Sequence, residues 1–412
     1  MDQVDQVATA VAYNPFEPGH DADPYPQYRL LREGDPVHQS PLGVWLLFAY
    51  DDVHRLLRDP GLSVEDGNAH PTPLTELAAS VRGEDTTERG NLAMLNRDPP
   101  DHTRLRRLVS KAFTPRTIQQ LRPRVQALVD ESLDRAAHDG GFELIGQYAF
   151  VLPFSVITEL LGMPETDTEQ LRTWSGTLVR GLEPVVDPET VRAIDEAGDN
   201  MYGLISEAIA AKRAEPADDL LSALIAAEEN GDVLSDDELA EQVTLLYVAG
   251  HETTVNLIGN GVLALLRHPD QLAALRDDPT LIANAVDELL RYDSPVQMTR
   301  RVTLGETEVR GRTIEPGAFV VLGLASANRD PAHFGADAER LDLTRPRAGE
   351  HVSFGGGHHY CLGASLARLE GQIAIGSLVQ RFGRIEAAAD PIWNGRLNLR
   401  GLERLPLSVN PA

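Results

Sequence analysis

Apolar residues recur at three- and four-residue spacing through 124–138, 154–162, 189–213, 236–267, 280–292 and 363–382, the period of helices with one buried face. Most of the chain is therefore predicted to be helix. Ser235 stands directly before Asp236, Asp237 and Glu238 and makes a good N-terminal cap, while Pro269 ends the run just after His268. The result is one helix of about thirty residues. Strand-like runs are short and fall near the ends or late in the chain, at 44–49, 302–308, 318–324 and 405–409, and predict a small accessory sheet. Loops rich in glycine, proline and acid at roughly 61–92 and 181–188 are long enough to act as lids. No internal repeat is evident, and no linker separates the motifs described below. Residues 1–412 are read as a single catalytic domain.

Composition narrows the function. Hydrophobic residues make up 42% of the chain, enough for a substantial core, and 63 acidic against 37 basic residues give a net charge of −26. Such a surface repels nucleic acid and favours solubility. Residues 1–25 are polar and contain proline, without a charged-then-apolar leader, and no apolar run is long enough to span a bilayer. A cytoplasmic protein is expected.

Candidate chemistry centres on Cys361, the one cysteine in the chain. It lies in Phe354-Gly-Gly-Gly-His-His-Tyr-Cys361-Leu-Gly363, directly before a helix-forming run. A lone cysteine is usually a small buried hydrophobe. Here, three glycines allow the backbone to approach something flat, and amides near a helix start would face the sulfur and lower its pKa. A single thiol excludes a disulfide framework, a four-cysteine zinc site and an ordinary iron–sulfur cluster. An axial sulfur on a cofactor that brings its own remaining ligands is what is left, and haem fits that description.

Phe354, Gly357, His359, Cys361 and Gly363 together resemble the haem-binding loop of the cytochrome P-450 monooxygenases, Phe-x-x-Gly-x-(His or Arg)-x-Cys-x-Gly. Three further motifs follow the same order as in that family. His102 and Arg106 stand four apart in a run beginning Asp98-Pro-Pro-Asp, so on a helix they share a face that can clamp a carboxylate or simply face water. The resemblance implies that they bind haem propionates, together with Arg301, which opens a strand-like segment, and His359. Arg300 competes with Arg301, but strand alternation sends the two to opposite faces. His358 is expected to face solvent.

Ala249-Gly-His-Glu252-Thr253-Thr254 falls midway along the long helix, where a glycine and two threonines are poor helix formers and invite a backward hydroxyl bond, a bend or a wide turn. It matches the family's (Ala or Gly)-Gly-x-(Asp or Glu)-Thr. That match implies that Thr253 hydrogen-bonds the bound dioxygen while Glu252 relays protons, with the thiolate donating electron density from the other side. Glu288 and Arg291 resemble the family's buried Glu-x-x-Arg pair, and Arg340 is the expected third member, although Leu341 departs from the aromatic residue usual there. On the other side of the helix carrying His102, Arg104, Arg107 and Lys111 align, followed by Arg116, Arg122 and Arg124. This basic run is either a solvated face or a docking patch for a small acidic ferredoxin.

The resemblance spans nearly the whole chain. It implies a mainly α protein with small β-sheets, triangular, with haem b between the long helix and the cysteine loop. The implied activity is a monooxygenase that hydroxylates or epoxidises an apolar small molecule of secondary-metabolite type. Dioxygen would be the oxidant, with electrons from NAD(P)H through a ferredoxin reductase and a ferredoxin. Alternatives are a peroxide-driven peroxygenase of the same fold and a non-catalytic haem sensor or carrier, both disfavoured by the presence of Glu252 and Thr253. Substrate-facing walls are expected from 71–95, 172–188, 242–253, 295–298 and 396–401, mostly aliphatic with scattered polar groups. A macrolide, terpene, steroid, fatty acid or peptide-derived product would be compatible.

Overall fold

The computed structural model describes residues 12–73, 76, 79–80, 92–163, 168–183, 187–227 and 231–411. Its centre is the helix Asp236–Arg267, 32 residues long and buried almost continuously from Thr254 to Leu265. The expected cap is complete: Ser235 Oγ accepts from the Glu238 amide, and the Glu238 carboxylate accepts from the Ser235 amide. That box satisfies two of the donors a helix start leaves unpaired. At the other end, His268 closes the helix and Pro269 opens the next one, Pro269–Asp277.

The helix periods read from sequence correspond to Arg122–Asp139, Val151–Leu161, Pro188–Ala214, Ile282–Tyr292 and Ala364–Arg381. Most of them bury their apolar stripes against the long helix or one another, forming the main core. Close approach is built in by glycine: a Cβ at Gly261 would meet Ile375 at 3.1 Å and Leu289 at 3.2 Å.

The accessory sheet has five strands in the order Val37–Gln39, Trp45–Leu47, Phe319–Leu322, Thr299–Thr303, Leu62–Ser63. Trp45–Leu47 runs parallel to Phe319–Leu322 and the other pairings are antiparallel. It covers a second, smaller core. A three-stranded sheet, Gly141–Glu143, Pro406–Pro411 and Phe382–Ala387, lies elsewhere, and there are two hairpins, Thr307–Val309 with Arg312–Ile314 and, toward the C-terminus, Ile392–Trp393 with Leu402–Arg404. The strand pattern alone pointed to one small sheet; the several small sheets are those the family resemblance implied. Among the described residues, no helix is long and apolar enough to cross a membrane.

Candidate active site

The cysteine loop turns back on itself, its Cys361 amide donating to the Phe354 carbonyl at 2.9 Å. Gly355 and Gly357 have φ of +70° and +64°, the left-handed region. Two of the three glycines accommodate protein and not a ligand: a Cβ at Gly357 would sit 2.5 Å from the Leu57 carbonyl oxygen, and one at Gly356 would meet Arg58 at 2.9 Å. Cys361 itself keeps an open side. Protein crowding round the sulfur pushes its pKa up, and the Gly363 amide, the charges of Arg106 and Arg368, and the Ala364 amide pull it down without prevailing. The amides lower the pKa as expected, but the net shift is upward. Desolvation exceeds the amide contribution, and a metal cation on the sulfur is what would reverse the balance.

Around this loop, the structure gathers the residues assigned to carboxylate binding. The helix Asp101–Ala112 places His102, 1% exposed, with its ring 4.2 Å from that of His359 and 5.3 Å from that of His358. His358 is half-buried in this cluster, not solvent-facing as expected. Arg106 reaches the Tyr360 carbonyl at 2.6 Å. On the sheet, Arg300 is exposed and pairs with Asp66 at 2.9 Å, while Arg301 is 6% exposed, so alternation separates them as predicted. The Arg301 guanidinium bonds the Thr299 hydroxyl and the Arg300 carbonyl, and no carboxylate among the described residues pairs with it.

This donor set fits haem. Among the described residues, His102 Nδ1 and His359 Nε2 are buried without hydrogen-bond partners, and burial plus neighbouring positive charge holds both imidazoles below the usual histidine range, His102 at about 4. Burial also lowers Arg301 to about 10. Unpartnered buried donors clustered with cations are costly unless an anion satisfies them. The carboxylates at the edge of an iron porphyrin would do so, with Cys361 on the same loop as His359.

On the long helix, the backbone stays α-helical through Gly250, and Thr253 Oγ1 donates backward to the Ala249 carbonyl at 3.0 Å. The expected hydroxyl bond forms without a wide turn. Glu252 pairs with Arg396, a residue from the C-terminal hairpin that no sequence motif marked. His251 is lodged in the core, its Nδ1 donating to the Tyr247 carbonyl at 2.8 Å.

A cavity of about 700 Å³ adjoins Glu252, with Phe150, Arg172, Arg180, Glu183 and Arg396 among its walls. Of the segments expected to form pocket walls, 172–188, 242–253 and 396–401 contribute residues to this cavity, which none of Cys361, Thr253, His102 and Arg301 lines. Of the expected walls, 74–75, 77–78, 81–91 and 184–186 lie outside the described residues.

The Glu288–Arg291 pair is completely buried, with Arg291 Nε and Nη2 donating to the carboxylate at 2.6 and 2.8 Å. Its third member is Arg345, 5% exposed, whose Nε lies 3.2 Å from Glu288 Oε1. The assignment to Arg340 is corrected: that side chain is exposed, and only its backbone carbonyl serves the cluster, accepting from Arg291 and Arg345. Arg104 also leaves the expected docking run, turning to Glu238 and Asp232.

Glu370 was missed. It sits on the buried stripe of Ala364–Arg381 with Leu366, Leu369 and Ile373, and an acid in that register was the available signal. It is 1% exposed, neither carboxyl oxygen has a hydrogen bond of good geometry, and burial raises its pKa from 4.5 to about 8, the neighbouring Thr254 hydroxyl easing this only in part. The folded protein keeps a proton that the unfolded chain releases above pH 4.5, so stability falls as pH rises and levels off above about 8. The full loss is on the order of 5 kcal/mol at about 1.4 kcal/mol per unit. Glu370→Gln removes it. Denaturant midpoints between pH 5 and 9 should decline in the parent and stay flatter in the variant; parallel profiles would contradict this.

Fold and site together define a haem-thiolate monooxygenase. The cytochrome P450 family model matches residues 185–391. The chain is 44% identical over 400 residues to cytochrome P450 107B1 of Saccharopolyspora erythraea, covering 95% of this chain and 96% of that protein. It is 43% identical over 408 residues to vitamin D(3) 25-hydroxylase of Pseudonocardia autotrophica, covering 94% of each. Its fold matches that of the bacillaene polyketide synthase cytochrome P450 PksS of Bacillus subtilis with a TM-score of 0.87 at 38% identity, covering 97% of this chain and 100% of that one. The chain belongs to the cytochrome P450 family.

Proposed function

We propose that residues 1–412 act as one catalytic unit in the cytoplasm and insert one atom of dioxygen into an apolar secondary metabolite, with electrons from NAD(P)H through a ferredoxin reductase and a ferredoxin. The observation that carries this reading is the acid–hydroxyl pair Glu252–Thr253 at an unbroken turn of the long helix, with Glu252 on the wall of a cavity large enough to hold water. Haem, when bound, would supply dioxygen activation and the oxidising power. Cys361 would hold its iron through the sulfur, and His102, Arg106, Arg301 and His359 would hold its propionates, each charge-assisted bond contributing about 1.5–3 kcal/mol when shielded from water. Thr253 Oγ1 has its proton on the Ala249 carbonyl, which leaves its lone pairs to accept a proton donor and pass one on by rotation. Glu252 exchanges protons with cavity water.

Arg107, Lys111, Arg116 and Arg122 are exposed along one stretch of an otherwise acidic chain and form the docking face for the ferredoxin. The names of the vitamin D(3) hydroxylase and of the polyketide P450 support a bulky, largely apolar substrate of sterol or polyketide type. The test is turnover of the haem-loaded protein on vitamin D3 and on a macrolactone, with product mass recorded. Ferredoxin, reductase and NAD(P)H should outpace hydrogen peroxide by about tenfold or more, giving products heavier by one oxygen; the reverse ranking would overturn the proposal.

A further inference from the structure

The Glu183 carboxylate accepts hydrogen bonds from three consecutive amides of the C-terminal hairpin: Leu397 at 2.9 Å, Asn398 at 3.0 Å to each oxygen, and Leu399 at 3.1 Å. Successive N–H groups converging on one anion make a concave, charge-assisted seat. Glu183 follows the short turn Arg180–Leu182 that ends the helix Thr168–Val179. The seat therefore ties that helix end to the hairpin on the same cavity.

The rest of the hairpin is stiff. The Asn394 side-chain amide donates to the Leu399 carbonyl at 3.0 Å, its oxygen accepts from the Arg396 amide at 3.1 Å, and the Gln297 amide donates to the Asn398 carbonyl at 2.9 Å. A Cβ at Gly401 would fall 1.9 Å from Asn256 Oδ1, so the hairpin lies directly on the long helix. From it, Arg396 reaches Glu252, and both side chains are shielded, 20% and 15% exposed.

We infer that Glu183 is a positioning residue for Glu252, acting through the hairpin 397–399 and Arg396. The inference rests on the reading of Glu252 as the proton relay. With the seat filled, Arg396 fixes the Glu252 carboxylate against the cavity. With the seat empty, Arg396 is released, and Arg172 and Arg180, which line the same cavity, compete for Glu252 and turn it away.

The test uses the haem-loaded protein and the variants Glu183→Gln, Arg396→Gln, their double variant and Glu252→Gln. Two readouts are taken: deuterium uptake of the peptide spanning 394–401, and the solvent deuterium isotope effect on substrate-free NADPH oxidation through a bacterial ferredoxin and reductase. Glu183→Gln should speed exchange in 394–401 about tenfold or more. Glu183→Gln and Arg396→Gln should shift the isotope effect in the same direction as Glu252→Gln, with the double variant no further shifted than Arg396→Gln alone. Unchanged exchange in Glu183→Gln, or faster exchange with a parental isotope effect, overturns the inference while Glu252→Gln still shows the relay. A silent Glu252→Gln overturns the relay reading itself, and the inference with it.

Discussion

Glu288→Ala is expected to leave little folded, haem-loaded protein. The Glu288 carboxylate is fully buried and receives Arg291, Arg345 and the Asp342 amide, the last at 3.0 Å. Both guanidiniums also spend donors on carbonyls, Arg291 on Asn328, Ala338 and Arg340, and Arg345 on Phe334, Asp337 and Arg340. These bonds satisfy N–H groups without neutralising charge. Asp337 is the other acid on Arg345, and it is 51% exposed. Removing Glu288 thus strands two buried cations, and breaking a buried pair of this kind costs about 3–5 kcal/mol. Against a typical total of about 5–15 kcal/mol, that is a large share. Arg345→Ala should be nearly as damaging, whereas Arg340→Ala should stay within about 0.5 kcal/mol, because only its backbone oxygen participates. Denaturant midpoints of the three variants check the assignment; equal effects at 340 and 345 would contradict it.

Cys361→Ser is expected to abolish monooxygenase turnover, by about a thousandfold or more, the scale set by loss of a key electrostatic element at a catalytic centre. A serine hydroxyl stays protonated and hard where a thiolate is soft and electron-donating. Haem uptake should be weakened but not lost, since His102, Arg106, Arg301 and His359 are untouched. The measurement is product formed per haem under ferredoxin-driven turnover. Parental turnover would show that the sulfur is not the axial ligand.

The helices were legible because each has an apolar face with a clear period, and the Ser235 cap and Pro269 marked both ends of the longest one. Arg300 and Arg301 were separable because a strand alternates strictly, and the burial difference follows. Short strands such as Val37–Gln39 and Leu62–Ser63 carry too few residues for a period to register, so both edges of the five-stranded sheet stayed hidden. Arg345 lies in an irregular segment, where no periodicity says which arginine turns inward. Only the fold brings it, and not Arg340, to Glu288. Arg396 and Glu183 were invisible for the same reason: their partners lie 144 and 214 or more positions away. The net direction of the Cys361 thiol was not legible, because amides near a helix start can be seen in a sequence, while the crowding that opposes them cannot.

The central claim is that Cys361 presents its sulfur to a porphyrin-held iron. The most direct test is the absorption spectrum of the purified, dithionite-reduced holoprotein under carbon monoxide, taken beside Cys361→Ser. The parent should show the strongly red-shifted Soret band of a thiolate-ligated ferrous carbonyl, and the serine variant should lack it. A parent without that band, or a variant that retains it, would contradict the account.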